Sequence, residues 1–382
     1  MKVEKRYLTI INNMEIGGTR SSLINLLSYL AESIEKVDLL VLSPFGPYMK
    51  DIPNKVHVVK PSLIIKCSFS KPGNLNIFER FLKGVMHCLR LIVGYNALYS
   101  LVFKLYAKKI GSYDAVIGFQ EGESNDCAAY INAKSRTGWM HNDYSNFSET
   151  SKGIPDAYRR LDNLVFVAES SLKSFVSYYP DYIKKCHVIR NTLNQESIIA
   201  KSLQTPDVKF NRNHINIISV GRVTLQKRFD RIIEIVSALK ERLNFKWFII
   251  GDGDQKASLV NTVKDKGLDD YIIFLGPSSN PYCYMANADL LVVTSDYEAQ
   301  PMVILESLTI GTPVVSTDYN SAIELKDLAG DSLKITSKSS LDIANTIADL
   351  LTNNELVIMK EAATKFQYDN MKIIREIISI TS

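Results

Sequence analysis

Short runs of β-branched and aliphatic residues alternate along this chain with longer segments of helical period. In the first half the apolar runs are Tyr7–Ile11, Val37–Leu42, Val56–Val59, Asp114–Gly118 and Leu164–Ala168. In the second half they are Ile215–Val220, Trp247–Ile250, Ile272–Leu275, Leu290–Thr294 and Pro313–Ser316. Runs that stay apolar on both faces suit parallel strands covered by helices on each side. Between them lie helix-length segments such as Ser21–Glu32, Phe229–Leu243 and Gln255–Lys266. This strand–helix alternation predicts a doubly wound α/β sheet.

A polar stretch from Asn194 to Asn213 interrupts the alternation once and reads as the connection between two similar halves. The segment Glu355–Ile380 is helical in pattern and is expected to return to the first half. Residues 79–110 break the rule differently. They carry Arg80, Lys83, Arg90, Lys104, Lys108 and Lys109 against the single acid Glu79, with aromatics and aliphatics interleaved. Two readings stay open: an amphipathic surface resting on anionic lipid, or a helix pair packed on the first sheet with a solvated basic face.

Composition narrows the class. A chain of 382 residues is long enough for two domains, and 46% hydrophobic with 23% charged residues is ordinary for a globular protein. A formal charge of +4 does not mark a nucleic-acid binder, and none is expected as a partner. The five cysteines (Cys67, Cys88, Cys127, Cys186, Cys283) form no CxxC pair and read as reduced packing residues. The start, MKVEKRYLTIINN, enters a strand pattern directly, and no window reaches the ~18 apolar residues of a membrane span. The expectation is a cytoplasmic protein, peripheral on the inner membrane face if the 79–110 surface meets lipid.

The stretch TSDYEAQPMVILESLTIGTPVVSTD, residues 294–318, holds the richest chemistry. Pro301 suits the first position of a helix, leaving the N–H groups of Met302 and Val303 aimed outward at the positive end of the helix dipole. Glu298 stands just before that helix and Glu306 inside it. Carboxylates so placed are able to accept hydroxyl hydrogen bonds from both ends of a nucleotide sugar, the diphosphate lying over the helix start. Taken alone, both are equally well solvated surface acids.

Other strand ends add to this. Gly221 closes a strand, and Arg222 and Lys227 follow it; cations there stabilise a departing diphosphate. Each alone is also an ordinary solvated base. In INNMEIGGTRSSLINLL, Gly17 and Gly18 permit close backbone approach before the apolar stripe Leu23, Leu26, Leu27 and Leu30, without a GxGxxG dinucleotide pattern. His141, in RTGWMHNDYSNF, is the one histidine at an expected strand end among polar neighbours. Asp252-Gly253-Asp254 matches a D-x-D metal pattern, but Gly251 and Gly253 better explain a tight loop, and no metal or other cofactor is expected.

Together these residues resemble the retaining glycosyltransferases of the GT-B fold, family 4 of the group 1 type, as found in bacterial surface-polysaccharide synthesis. The resemblance rests on GGTRSSLINLL, GRVTLQKRFD, IIGDGD, FLGPSSN, and EAQPMVILE followed by GTPVVSTD, with Glu298 and Glu306 separated by seven residues. It implies two Rossmann-like domains with an interdomain cleft: residues 1–194 for the acceptor, residues 195–365 for the nucleotide sugar, and a helix in 366–382 returning to the first domain.

By that resemblance Arg222 and Lys227 bind the donor diphosphate, Glu298 holds the transferred sugar, and Glu306 holds the ribose. The backbone of Gln300, Pro301, Met302 and Val303 contacts sugar and phosphate. Gly17, Gly18, Gly221 and Gly251 line the donor, Leu275 and Gly276 lie near the base, and His141 faces the sugar. Ala299 stands where the family usually has Gly, and Gln300-Pro301 replaces a more typical Phe-Gly pair, which reshapes the sugar pocket. The function implied is metal-independent transfer, with retention, from a nucleotide-diphosphate sugar (UDP favoured) to a glycan or lipid-linked acceptor. A nucleotide-sugar epimerase and a non-catalytic binding subunit are the rival readings.

Overall fold

The computed structural model describes residues 3–15, 17–142, 144 and 156–382. The chain forms two compact units, one of Met1–Thr192 with Asp369–Ser382, the other of Leu193–Tyr368. The division falls two residues before Asn194. Each unit is built on one sheet with parallel pairing throughout.

The first sheet contains β1 (Val3–Ile11), β2 (Ile34–Val41), β3 (His57–Val59), β4 (Ser112–Gly118), β5 (Asn132–Met140), β6 (Asn163–Phe166) and β7 (Cys186–Val188). Their order is β3-β2-β1-β4-β5-β6-β7. The second contains β8 (Ile215–Val220), β9 (Phe245–Ile250), β10 (Ile272–Gly276), β11 (Leu290–Val293), β12 (Val314–Thr317) and β13 (Leu333–Thr336), ordered β10-β9-β8-β11-β12-β13. In both sheets the order reverses beside the first strand, between β1 and β4 and between β8 and β11. Loops part on either side of such a reversal, which is where open α/β sheets bind ligands, at the carboxyl ends of the strands.

The ten apolar runs of the sequence all lie on strands or their immediate ends. Three strands were not among them. β5 is rich in small and polar residues, yet Thr137 and Trp139 are buried in it. β7 and β13 are short edge strands with too few apolar positions to mark them. The polar stretch after Asn194 carries a helix of its own, Gln195–Ser202, with Asn194 capping it by accepting from the Ser197 N–H. The helical pattern of 355–380 is broken into Glu355–Thr364 and Asn370–Ile380. The latter packs within the first unit: Thr381 Oγ1 meets Tyr7 Oη at 2.7 Å and Asn370 donates to Tyr29 Oη at 2.9 Å.

Fully buried Trp139 and Trp247 anchor the two sheets, Trp247 donating from its indole to Ser219 Oγ at 3.1 Å. Around the second sheet's carboxyl edge, three strand-end glycines bring loops close. Gly221 donates to the Ile250 carbonyl at 3.0 Å and Gly251 to the Gly276 carbonyl at 2.9 Å. Gly251 has φ of 149°, and a Cβ there would sit 1.8 Å from the Gly221 carbonyl oxygen. Backbone cannot retreat as a flexible side chain does, so Gly251→Ala is expected to cost ~1–3 kcal/mol or more. Thermal unfolding of the variant should show a drop of several degrees; an unchanged midpoint would mean that the loops are not locked as described.

Candidate functional site

The site in the second unit is assembled from the ends of β8 and β11, on the two sides of the strand-order reversal. After β8 the chain passes Gly221 and Arg222 into a short 3-10 turn, Leu225–Lys227. After β11 it runs through Thr294, Ser295 and Asp296 to Glu298. Side chains and backbone bind these two loops together. Arg231 bonds the Thr294 carbonyl at 2.7 Å and Asp296 at 2.6 Å, and Arg228 reaches Asp296 at 3.1 Å. Asp296 N–H donates to the Gln226 carbonyl at 2.9 Å, and Gln226 Nε2 to the Tyr297 carbonyl at 2.8 Å. The two arginines hold the Asp296 carboxyl below its ordinary value against the opposing effect of burial.

This bracing presents Lys227 to Glu298. Their charged groups pair at 2.8 Å, both largely buried. Ser295 Oγ donates to the other Glu298 oxygen at 2.8 Å, and Ser321 Oγ donates to the Glu298 carbonyl at 2.6 Å. Thr294 Oγ1 fixes the Lys227 backbone by donating to its carbonyl at 2.8 Å. A Cβ added to Gly221 would touch the Lys227 stem at 3.5 Å, so the lysine lies along the strand-end glycine.

Glu306 lies within helix Met302–Ile310 and takes a bond from the Tyr282 hydroxyl at 3.4 Å. Burial pushes its carboxyl up to about 7, against the opposing pull of Tyr282, Lys227 and Lys201. Its side chain is only partly exposed, and the surrounding protein supplies the low-dielectric environment that keeps the proton. Lys227 therefore acts electrostatically on both glutamates that the sequence singled out.

The helix start differs from expectation. Pro301 precedes the helix instead of opening it, and the Met302 N–H is not free, because it donates to the Gln300 carbonyl at 3.0 Å. Proline's fixed φ folds the chain back at this point, so the first amide meets a local acceptor. Val303 N–H has no backbone acceptor among the described residues. Gln300 donates to Tyr368 Oη at 3.4 Å. Arg222 is exposed, and its side chain has no hydrogen-bond or ion-pair partner among the described residues. Leu275 and Gly276 are partly exposed at the end of β10. Asp252 accepts from the Gly253 N–H at 3.0 Å and pairs with Lys256 at 3.6 Å.

In the first unit the corresponding edge carries Gly17, Gly18 and His141. Gly18 opens helix Gly18–Ser33, and a Cβ at either glycine would meet nothing within 4 Å. His141 follows β5 and stacks beside Phe119 and Trp139, with ring centroids at 4.7 and 6.4 Å. Burial lowers its pKa to about 3, opposed by a hydrogen bond to the Phe119 backbone, so the imidazole is neutral at ordinary pH. Residues 143 and 145–147 of the RTGWMHNDYSNF stretch lie outside the described residues.

One residue at this edge carried no sequence signal. Glu121, just after β4, accepts from the Asn142 N–H at 2.7 Å, and burial pushes its carboxyl up to about 7. Its Oε2, Gln120 Oε1 and His141 Nε2 are buried without a hydrogen-bond partner among the described residues. β4 and β5 pair side by side, and glycines let neighbouring segments pack closely on them: Cβ atoms on Gly118 or Gly138 would strike Asn125 at 2.5 Å or Leu161 at 2.6 Å. Only the spacing of FQEGE after a strand could have flagged Glu121.

Known proteins share this fold. The fold matches HepE of Anabaena, solved in complex with UDP and glucose, with a TM-score of 0.72 at 17% identity over 98% of this chain and 99% of that one. The architecture is GT-B, two Rossmann-like sheets of parallel strands. Residues 201–366 match the family described as Glycosyl transferases group 1. A Campylobacter jejuni protein, N-acetylgalactosamine-N,N'-diacetylbacillosaminyl-diphospho-undecaprenol 4-alpha-N-acetylgalactosaminyltransferase, is 28% identical over 225 residues, 57% of this chain and 60% of its own length. The amylovoran biosynthesis glycosyltransferase AmsD of Erwinia amylovora is 32% identical over 31% of this chain and 33% of its own length.

Glu306 has a thermodynamic signature. Its folded pKa is about 7 against an ordinary 4.5, so its contribution to stability is complete below about pH 4.5 and lost as pH rises through 7. Glu306→Gln, which cannot ionise, should melt higher than the parent at pH 8 and lose that advantage near pH 4.5. Parallel melting curves at the two pH values check this.

Proposed function

We propose that this chain is a retaining glycosyltransferase that moves a sugar from a nucleotide diphosphate, UDP favoured, to a glycan or lipid-linked acceptor of a cell-surface polysaccharide. The observation that carries the reading is the buried Lys227–Glu298 pair at the strand-order reversal, with Glu306 under the same lysine's influence. Lys227 and Arg222 take the diphosphate, whose charge grows as its bond to the sugar breaks. Glu298 accepts hydrogen bonds from the transferred sugar's hydroxyls, and Glu306 from the ribose. The amide of Val303 is the helix-start donor for phosphate, with Gln300, Pro301 and Met302 shaping the sugar side.

The carbon–oxygen bond from the sugar to the diphosphate breaks while the acceptor oxygen bonds to the same carbon on the same face. The acceptor's proton passes to the departing phosphate oxygen. Neither glutamate is needed as a nucleophile, and no metal enters the scheme. His141, neutral and half-enclosed, serves as a hydrogen-bonding group toward the sugar, and Glu121 joins it on the acceptor side.

Helices Ile77–Val93 and Tyr95–Ile110 of the first unit bear on where this happens. Phe78, Phe81, Val85, Leu89 and Ile92 form an exposed apolar stripe, Phe81 and Ile92 being 69% and 78% exposed. On the second helix, exposed Leu101 and Leu105 lie among Lys104, Lys108 and Lys109. Apolar area flanked by lysines complements an anionic bilayer surface, and we read this face as a peripheral contact with the inner membrane. Among the described residues no helix is long and apolar enough to cross a membrane.

Screening nucleotide sugars by thermal shift identifies the donor, because a ligand bound only by the folded state raises its midpoint. With that donor, Lys227→Ala should lower kcat/KM for transfer at least ~100-fold; unchanged kinetics would refute the assignment. Formation of an epimer from the nucleotide sugar alone would instead support an epimerase. For the membrane face, Phe81→Asp with Ile92→Asp should abolish flotation with phosphatidylglycerol vesicles at low salt; equal flotation by the double variant would count against it.

A further inference from the structure

The basic and apolar residues of helix Ile77–Val93 do not share a surface. Arg80, Lys83, His87 and Arg90 recur at helical spacing, as do Phe78, Phe81, Val85, Leu89 and Ile92. At ~100° per residue, the two stripes fall on opposite sides of the helix. The basic stripe lines an open groove of about 440 Å³ together with Ser68 and Tyr99, with Lys83 half-buried and Arg80, His87 and Arg90 exposed at its rim. This is not the geometry of a helix whose cations merely flank an inserted apolar face.

The groove is electrostatically uncompensated. Glu79, the single acid of the helix, is occupied elsewhere: it pairs with Lys66 at 2.5 Å and completes the capping box with Asn76. Among the described residues no acidic side chain lines the groove. Arg80 spends its Nε on the carbonyls of Pro72 and Leu75 at 2.9 and 3.0 Å, which aims the guanidinium without neutralising it. Lys83 is held by the Ser68 carbonyl at 3.0 Å, and Arg90 lies 3.3 Å from His87 Nδ1. Burial, and then the charge of Arg90, lowers the Lys83 pKa, the mark of cations crowded together. The Ser68 hydroxyl is buried without a partner among the described residues. Three cations and an unpartnered hydroxyl around one groove suit an anion with several acceptor oxygens.

We propose that this groove is a binding site for a phosphate or diphosphate group, gripped by Arg80, Lys83 and Arg90 and by the Ser68 hydroxyl. Arginine forks and a lysine point charge match tetrahedral oxyanions with multiple acceptors. The same chemistry is offered by a free phosphorylated solute and by the headgroup of a lipid held in the adjoining bilayer. The site is separate from the strand-end loops of the second unit and stands whether or not those loops transfer a sugar.

Titration calorimetry of the full chain with inorganic pyrophosphate tests it. Lys83→Ala with Arg90→Ala should weaken one binding event at least tenfold, while UDP binding, which reports on Arg222 and Lys227, stays unchanged. Arg222→Ala should do the reverse. Ser68→Asp, which supplies the missing negative charge from inside, should abolish the same event with the fold retained, as judged by circular dichroism. Flotation with phosphatidylcholine vesicles carrying either phosphatidylglycerol or an isoprenyl diphosphate distinguishes the sources. Dependence on Lys83 and Arg90 for vesicles marks a headgroup, and dependence for pyrophosphate alone marks a solute. If neither pyrophosphate nor vesicle binding changes in the folded variants, the assignment is wrong.

Discussion

The second unit depends on a buried opposite-charge contact that would be costly without its surroundings. Taking a lysine and a glutamate out of water carries a desolvation penalty that their mutual attraction repays only if further hydrogen bonds complete the geometry. Lys227 and Glu298 meet this condition, since Ser295 holds the second carboxylate oxygen and Thr294 holds the lysine's backbone. Behind them Asp296 joins Arg228 and Arg231, which ties together the loops following two neighbouring strands. Under the proposed transfer such a brace would position the diphosphate and the sugar, and positioning is a large part of what a protein contributes to catalysis.

The first unit solves a related problem with neutral groups. Burial keeps His141 without its proton and favours the protonated form of Glu121, which lowers the cost of placing both at the end of the β4–β5 pair. Gln120 Oε1, Glu121 Oε2 and His141 Nε2 are left there without partners among the described residues, at the edge where parallel sheets bind ligands. The contrast is chemical: paired charges where a diphosphate is proposed, uncharged hydrogen-bonding groups where hydroxyls are.

Helix Ile77–Val93 shows how one segment serves two surfaces. Its apolar stripe faces out and its basic stripe faces a groove, with Met86 buried and Glu79 committed to capping. The break at Gly94, whose φ of 83° is unfavourable for other residues, lets helix Tyr95–Ile110 turn away and bring Tyr99 to the groove wall.

Local pattern determined the α/β architecture and the strand–helix alternation, because a strand buried on both faces must be apolar at nearly every position and so announces itself. Glu298, Glu306, Arg222 and Lys227 were no more than solvated residues by local pattern, and only the family resemblance singled them out. Local pattern marked β5 only by its end before His141, since Gly138 and Thr137 are buried there by close packing rather than by bulk, and it missed the edge strands β7 and β13, whose few residues carry little signal. Tertiary structure alone decided the rest. Which loops meet follows from strand order, so that Lys227 pairs with Glu298 across 71 positions and Glu121 finds Asn142 across 21. The sides taken by the basic and apolar residues of 79–110 likewise depend on what the helix packs against. Composition counts charges, but only the fold gives them a direction.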